Sequence, residues 1–136
     1  MIQYNFETDF ELQDSGMLTD WISMVVNEES FTLGDVNYIF CDDDYLHKIN
    51  VEFLNHDTLT DIISFDYSLG KTIHGDIYIS VERVHDNAKD FNVPFEEELH
   101  RVMVHGILHY CGYKDKTDED ARTMRQKENH YLKMLG

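Results

Sequence analysis

The stretch Pro94-Phe-Glu-Glu-Glu-Leu-His-Arg-Val-Met-Val-His105-Gly-Ile-Leu-His109-Tyr-Cys-Gly112-Tyr-Lys-Asp115 reads as one helix, a stop and a return. Pro94 suits a helical first turn, where its missing N–H costs nothing, and Glu96, Glu97 and Glu98 face the positive end of the dipole. The helix is predicted to run to about residue 110 and to stop at Gly112, which tolerates the left-handed conformation of a helix end. His105 and His109 are four residues apart, so they share one helix face about one turn from each other. Asp115, three residues past the glycine, can swing back towards the same point. Three protein ligands and an open fourth position are the arrangement of catalytic zinc, and the expected nucleophile is a water that such an ion acidifies. A lone His-x-x-x-His is a weak signal; the helix-ending glycine and the following acid strengthen it.

Outward from this segment the patterning alternates between periods of two and of 3.6. Strands are predicted over 2–7, 36–40, 61–67 and 72–80, the last two as a hairpin about a turn at 68–71. Helices are predicted over 18–29, with Leu18, Trp21, Ile22, Val25 and Val26 inward, and from the acidic run at 42–44, with Leu46, Ile49, Phe53 and Leu54 inward. Gly34 is expected to break the chain before the second strand. Further helices follow over 81–90 and, from a Thr117-Asp-Glu-Asp capping pattern, to about 135. The order β, α, β, α, β, β, α, α, α implies an α+β domain with one mixed sheet, and residues 1–136 read as a single unit.

The chain has 136 residues, of which 42% are apolar, enough for one core. Met1-Ile-Gln-Tyr-Asn-Phe has no basic region leading into an apolar run, and no apolar stretch has the length of a membrane span. A cytoplasmic protein without membrane contact is expected, with Cys41 and Cys111 reduced. The net charge of −16, from 11 basic and 27 acidic side chains, repels phosphate backbones at long range and favours a basic protein partner. A peptidase reading of the His pair lacks its general base, because the H-E-x-x-H glutamate position holds Gly106. His47, His56, His74, His85, His100 and His130 are expected to be ordinary surface or hydrogen-bonded histidines.

The segment 105–115 resembles the H-G-x-L-H-x-x-G-Y-x-H signature of the YbeY family of bacterial endoribonucleases. Thr60-Asp61-Ile62-Ile63-Ser64-Phe65 is similar to that family's T-D-V-L-S-F strand, and Gly75-Asp76-Ile77 to its G-D-I strand. The 46–50 segment looks like the helix that precedes them, and the resemblance extends from about Asn5 to the C-terminus. It implies one zinc ion per chain held by His105, His109 and Asp115. It also implies hydrolysis of single-stranded RNA in ribosomal RNA maturation and ribosome quality control, with ribosomal RNA, the ribosome or ribosomal proteins as partners. Two departures stand out. The family's third ligand is usually His where this chain has Asp115; carboxylate oxygen serves zinc, although a His₂Asp set also suits iron. The family's usual Arg ahead of the T-D-V-L-S-F block aligns with Leu54, which removes a cation that could stabilise the phosphorus centre. His56, Arg101 and Lys114 are the candidates to replace it, Ser64 is the candidate substrate contact, and the general base has no assignment. The rival readings are a zinc-binding ribosome assembly factor without catalysis, and a metallohydrolase of another substrate class.

Overall fold

Side-chain caps start three of the helices. Asp42 accepts from the Tyr45 N–H at 2.8 Å, Ser80 from Arg83 at 3.2 Å and Thr117 from Asp120 at 3.0 Å. Each supplies an acceptor to an N–H that the helix itself cannot satisfy. A computed structural model describes residues 1–55 and 60–135. Its elements run β1 (Ile2–Phe6), α1 (Ser15–Glu28), β2 (Thr32–Cys41), α2 (Asp43–Leu54), β3 (Ile62–Asp66), β4 (Thr72–Ser80), α3 (Val81–Phe91), α4 (Phe95–Tyr110) and α5 (Asp118–Lys133). This is the α+β order that the sequence predicts.

The four strands form one mixed sheet in the order β1-β2-β4-β3. β1, β2 and β4 are parallel, and β3 pairs antiparallel to β4 as the hairpin partner. Alternation along β2 and β4 sends Val36, Tyr38, Phe40, Ile73, Ile77 and Ile79 to one face, where they join Leu18, Ile22 and Val25 of α1 with Met103, Ile107 and Leu108 of α4. The opposite face holds a smaller cluster of Cys41, Leu46, Ile49 and Ile63 beneath α2. Two buried polar tips tie the large layer together: Tyr38 donates to the Met103 carbonyl at 2.8 Å and Trp21 to the Tyr131 carbonyl at 2.9 Å. Cys41 and Cys111 are both free thiols. No helix of the described residues is long and apolar enough to cross a membrane.

Two expectations need correction. Phe53 and Leu54 do not join the buried face of α2; they are 66% and 41% exposed, and Asn50 is buried beside Leu46 and Ile49 instead. Among the described residues, the ring contact of Phe53 is with the edge of Phe65. Gly34 does not end the chain's regular structure but lies within β2, where the register with β4 shifts between Leu33 and Val36. A β-carbon there would sit 2.6 Å from His74 Nδ1, the atom that accepts the Asp35 N–H at 3.0 Å. The glycine thus allows a bulge and close strand contact instead of a break.

Where α4 ends, Tyr110 donates to the Phe65 carbonyl at 2.9 Å and the Asp76 carbonyl at 3.1 Å, across the β3–β4 pair. Gly75 makes room for it, since a β-carbon at 75 would strike the Tyr110 ring and lie 2.6 Å from the Phe65 carbonyl oxygen. Gly75→Ala is therefore expected to destabilise the fold by about 1–3 kcal/mol, read as a lower urea midpoint with an unchanged slope.

Candidate metal centre

α4 is nearly all buried along one side. Leu99, Val102, Met103, Gly106, Ile107 and Tyr110 pack inward, and the remaining stripe carries Arg101, His105 and His109 to the wall of a cleft. The helix ends as Gly112 takes φ 100°, and the Tyr113 N–H returns to the Leu108 carbonyl at 3.1 Å. Residues 112–115 then fold back over the histidines. His105 Nε2 and His109 Nε2 are 2.9 Å apart, and Asp115 Oδ2 is 3.3 Å from the first and 3.5 Å from the second. The ligand atoms of these three residues lie within 4.8 Å of one another, as a shared metal ion requires.

The outer ring nitrogens settle which atoms face inward. His109 Nδ1 lies 2.9 Å from the Tyr113 carbonyl, which can only accept, so Nδ1 carries the hydrogen and Nε2 keeps its lone pair. His105 Nδ1 lies 2.7 Å from Glu128 Oε2, which acts in the same way. In neutral rings, two lone pairs and a carboxylate oxygen converge on one point. Only a cation reconciles them, and a nitrogen-nitrogen-oxygen set with an open side fits a divalent ion such as zinc. Without metal a proton takes that part. Burial opposes the charged His105 ring, but the hydrogen bond and charge of Glu128, with Asp115 and Asp61, outweigh burial and raise its pKa. Burial likewise works against the Glu128 carboxylate, yet His105 and Arg101 hold its pKa below the ordinary value.

The cleft has a volume of about 420 Å³. Ser64 on β3 and Arg101 on α4 both line it, as does Arg125 on α5. Arg101 donates to Glu128 Oε1 at 3.0 Å, which makes it a brace for the carboxylate behind His105. Lys114 is exposed and lies outside the cleft lining, as does Leu54; His56 falls outside the described residues. Other histidines serve elsewhere: His85 stacks on Phe95 with centroids 3.9 Å apart, His100 meets the edge of Trp21, and His74 accepts from Asp35. Gly106 faces the sheet, 3.0 Å from Ile77 by its absent β-carbon, so residue 106 is turned away from the cleft altogether.

The sequence reading missed Glu128 and Arg125. Glu128 had a legible signal, since it falls on the same stripe of α5 as the buried Met124 and Tyr131, an acid where the pattern calls for an apolar residue. Arg125 had none, being one cation on a charged helix.

The site and fold have counterparts. A family model described as Endoribonuclease YbeY matches residues 3–136. The chain belongs to the YbeY endoribonuclease family. Relatives named Endoribonuclease YbeY include one from Flavobacterium johnsoniae, 66% identical over 99% of this chain and 97% of that protein. Another, from Flavobacterium psychrophilum, is 62% identical over 99% of this chain and 96% of its own length. The solution structure of TM1509 from Thermotoga maritima superposes with a TM-score of 0.69 at 30% identity, covering 97% of this chain and 87% of that one. The chain therefore carries the fold of this family over nearly all of its length.

The His105–Glu128 pair gives metal-free protein a pH signature. Glu128 contributes stability above its ordinary value of 4.5, lost as pH falls through its lower folded value. His105 contributes fully below its ordinary 6.5, and that contribution is lost as pH rises through its higher folded value. Thermal unfolding of chelator-treated protein should thus show the largest gap between wild type and Glu128→Gln from pH 4.5 to 6.5, narrowing above neutrality.

Proposed function

We propose that this chain is a zinc-dependent endoribonuclease that cuts single-stranded RNA in ribosomal RNA maturation and ribosome quality control. The observation that carries the reading is the convergence of His105 Nε2, His109 Nε2 and Asp115 Oδ2 on one point at the wall of an open cleft. Membership of an endoribonuclease family supports the reaction class, hydrolysis of an RNA phosphodiester. His105, His109 and Asp115 would hold the ion. A bound divalent ion supplies Lewis acidity, lowering the pKa of water and offsetting charge at phosphorus.

The chain's own residues do the rest. Glu128 orients the His105 ring and raises its basicity as a ligand, and Arg101 holds Glu128 in turn. The Tyr113 carbonyl does the same for His109. Among the described residues that line the cleft, Arg125 is the cation with a free hand. Its guanidinium is 3.7 Å from Glu128 and half-exposed at the cleft, well suited to meet a phosphate oxygen. Arg125 thus takes the place of the family Arg that Leu54 lacks. Ser64 offers its hydroxyl to the substrate from β3. Residues 1–136 act as one domain, in the cytoplasm, on ribosomal RNA presented by the ribosome or ribosomal proteins. Basic partners of that kind offset the charge of −16 that keeps bare RNA away.

Protein purified without chelator should hold about one zinc per chain by elemental analysis. His105→Ala should lose it and Asp115→His should keep it, because imidazole also serves zinc; stoichiometric zinc in His105→Ala would overturn the ligand set.

On unstructured RNA, with His109→Ala as the blank, zinc-loaded protein should cleave slowly and Arg125→Ala about tenfold more slowly still, below the range for a fully preorganised donor because the side chain is solvated. No cleavage of RNA or of ribosomes would leave a zinc-binding assembly factor without catalysis as the reading.

A further inference from the structure

The cleft continues past the histidines. Seven residues before His105, two turns up α4, Glu98 turns its carboxylate into the same cavity. That residue is 5% exposed, and among the described residues no donor meets its side chain. Glu128, as deeply buried, is bonded by His105 and Arg101. The Glu98 oxygens open onto the solvent of the cleft, so a ligand entering there meets two acceptors that no donor of the described residues occupies. Burial raises the Glu98 carboxyl above its ordinary range against the pull of Arg101, and the charge of Asp61 adds to the rise.

Two further side chains line the same cleft. Phe91, the last residue of α3, is 58% exposed at the cleft and, among the described residues, stacks on no other ring. Asn87 lies four residues earlier on the same side of the helix, and its amide donates to Asp61 at 3.4 Å. We propose that Phe91, Asn87 and Glu98 form a nucleobase subsite that selects guanine. The inference deepens the endoribonuclease reading and rests on it.

Asp61 and Glu98 repel a phosphodiester, so the group that meets them is neutral and rich in N–H donors. Arg125 and the candidate metal ligands, which line the same cleft, suit the phosphate. Phe91 offers an aromatic face to a base. Guanine's Watson–Crick edge carries two adjacent donors, N1–H and the N2 amine, which match the two oxygens of one carboxylate. Adenine and cytosine each set a single amine beside an acceptor, and uracil flanks one N–H with two carbonyls. That edge is free only in an unpaired strand, which ties the subsite to single-strand preference.

The test is direct binding of GMP, AMP, CMP and UMP to zinc-loaded protein by calorimetry. The phosphate is common to all four, so differences report the base. GMP should bind about tenfold more tightly than the others. Glu98→Gln should reduce that preference to less than about twofold with zinc content unchanged, because Gln keeps one acceptor and adds a donor against guanine's own. Phe91→Ala, a surface change, should weaken all four alike, by roughly five- to a hundredfold. Equal binding of the four nucleotides, or a guanine preference that survives Glu98→Gln, overturns the proposal. Guanine selection by a chain that cuts no RNA would keep the subsite and sink the nuclease reading; RNA cleavage without base preference would do the reverse.

Discussion

The contact on which the rest depends is the approach of α4 to the sheet at Gly106. Its missing side chain leaves room for Ile77 and Ile62, whose methyl carbons would lie 3.0 and 3.2 Å from a β-carbon there. Because the helix settles on the sheet by that face, His105 and His109, its neighbours in sequence at one and three residues' distance, are rotated to the cleft. A carboxylate at 106 would press into packed isoleucines, so the helix cannot serve a peptidase base without moving. Tyr110 then pins the helix end to two strand carbonyls, which sets where the chain must turn.

The turn is braced from outside the cleft. Tyr113 donates to Glu29 at 2.7 Å, Lys127 reaches the same carboxylate at 3.2 Å, and Tyr131 donates to it as well. One acid at the end of α1 thereby joins the return segment to α5. Burial opposes its charge, but these three donors hold the pKa of Glu29 below its ordinary value. Asp115 is thus delivered by a segment anchored on its far side, while its own carboxylate stays free to face the histidines. Such anchoring lowers the ordering cost that a loop ligand otherwise carries.

Charge is unevenly spread along the chain. The first 47 residues contain no Lys or Arg, and none of them lines the cleft, which is built from residues 60 onward. Much of the negative field therefore originates in the segment between β1 and α1, in α1, in β2 and at the start of α2, outside the cleft lining, where solvent and salt screen it over about 8–10 Å. Within the cleft two acids are already engaged, Glu128 by His105 and Arg101 and Asp61 by Asn87. The long-range repulsion and the local chemistry are separate properties of this molecule.

By itself the sequence determined the nine elements of the described residues and their order, because period-two and period-3.6 patterns, helix caps and glycines act within a few residues of chain. It also determined the metal-ligand candidates, since His105, His109 and Asp115 belong to one helix and the turn that ends it. The tertiary structure decided everything contributed from elsewhere. Glu128 is 23 residues beyond His105, and Asn87, Phe91 and Arg125 come from two other helices; no local pattern says which helices will share a wall. It also decided that Phe53 and Leu54 stay exposed, for an apolar stripe shows which face seeks cover, whereas only the packed fold shows where cover ends. Gly34 carries the same lesson, as a residue that permits a break in an isolated strand permits a bulge when His74 stands beside it.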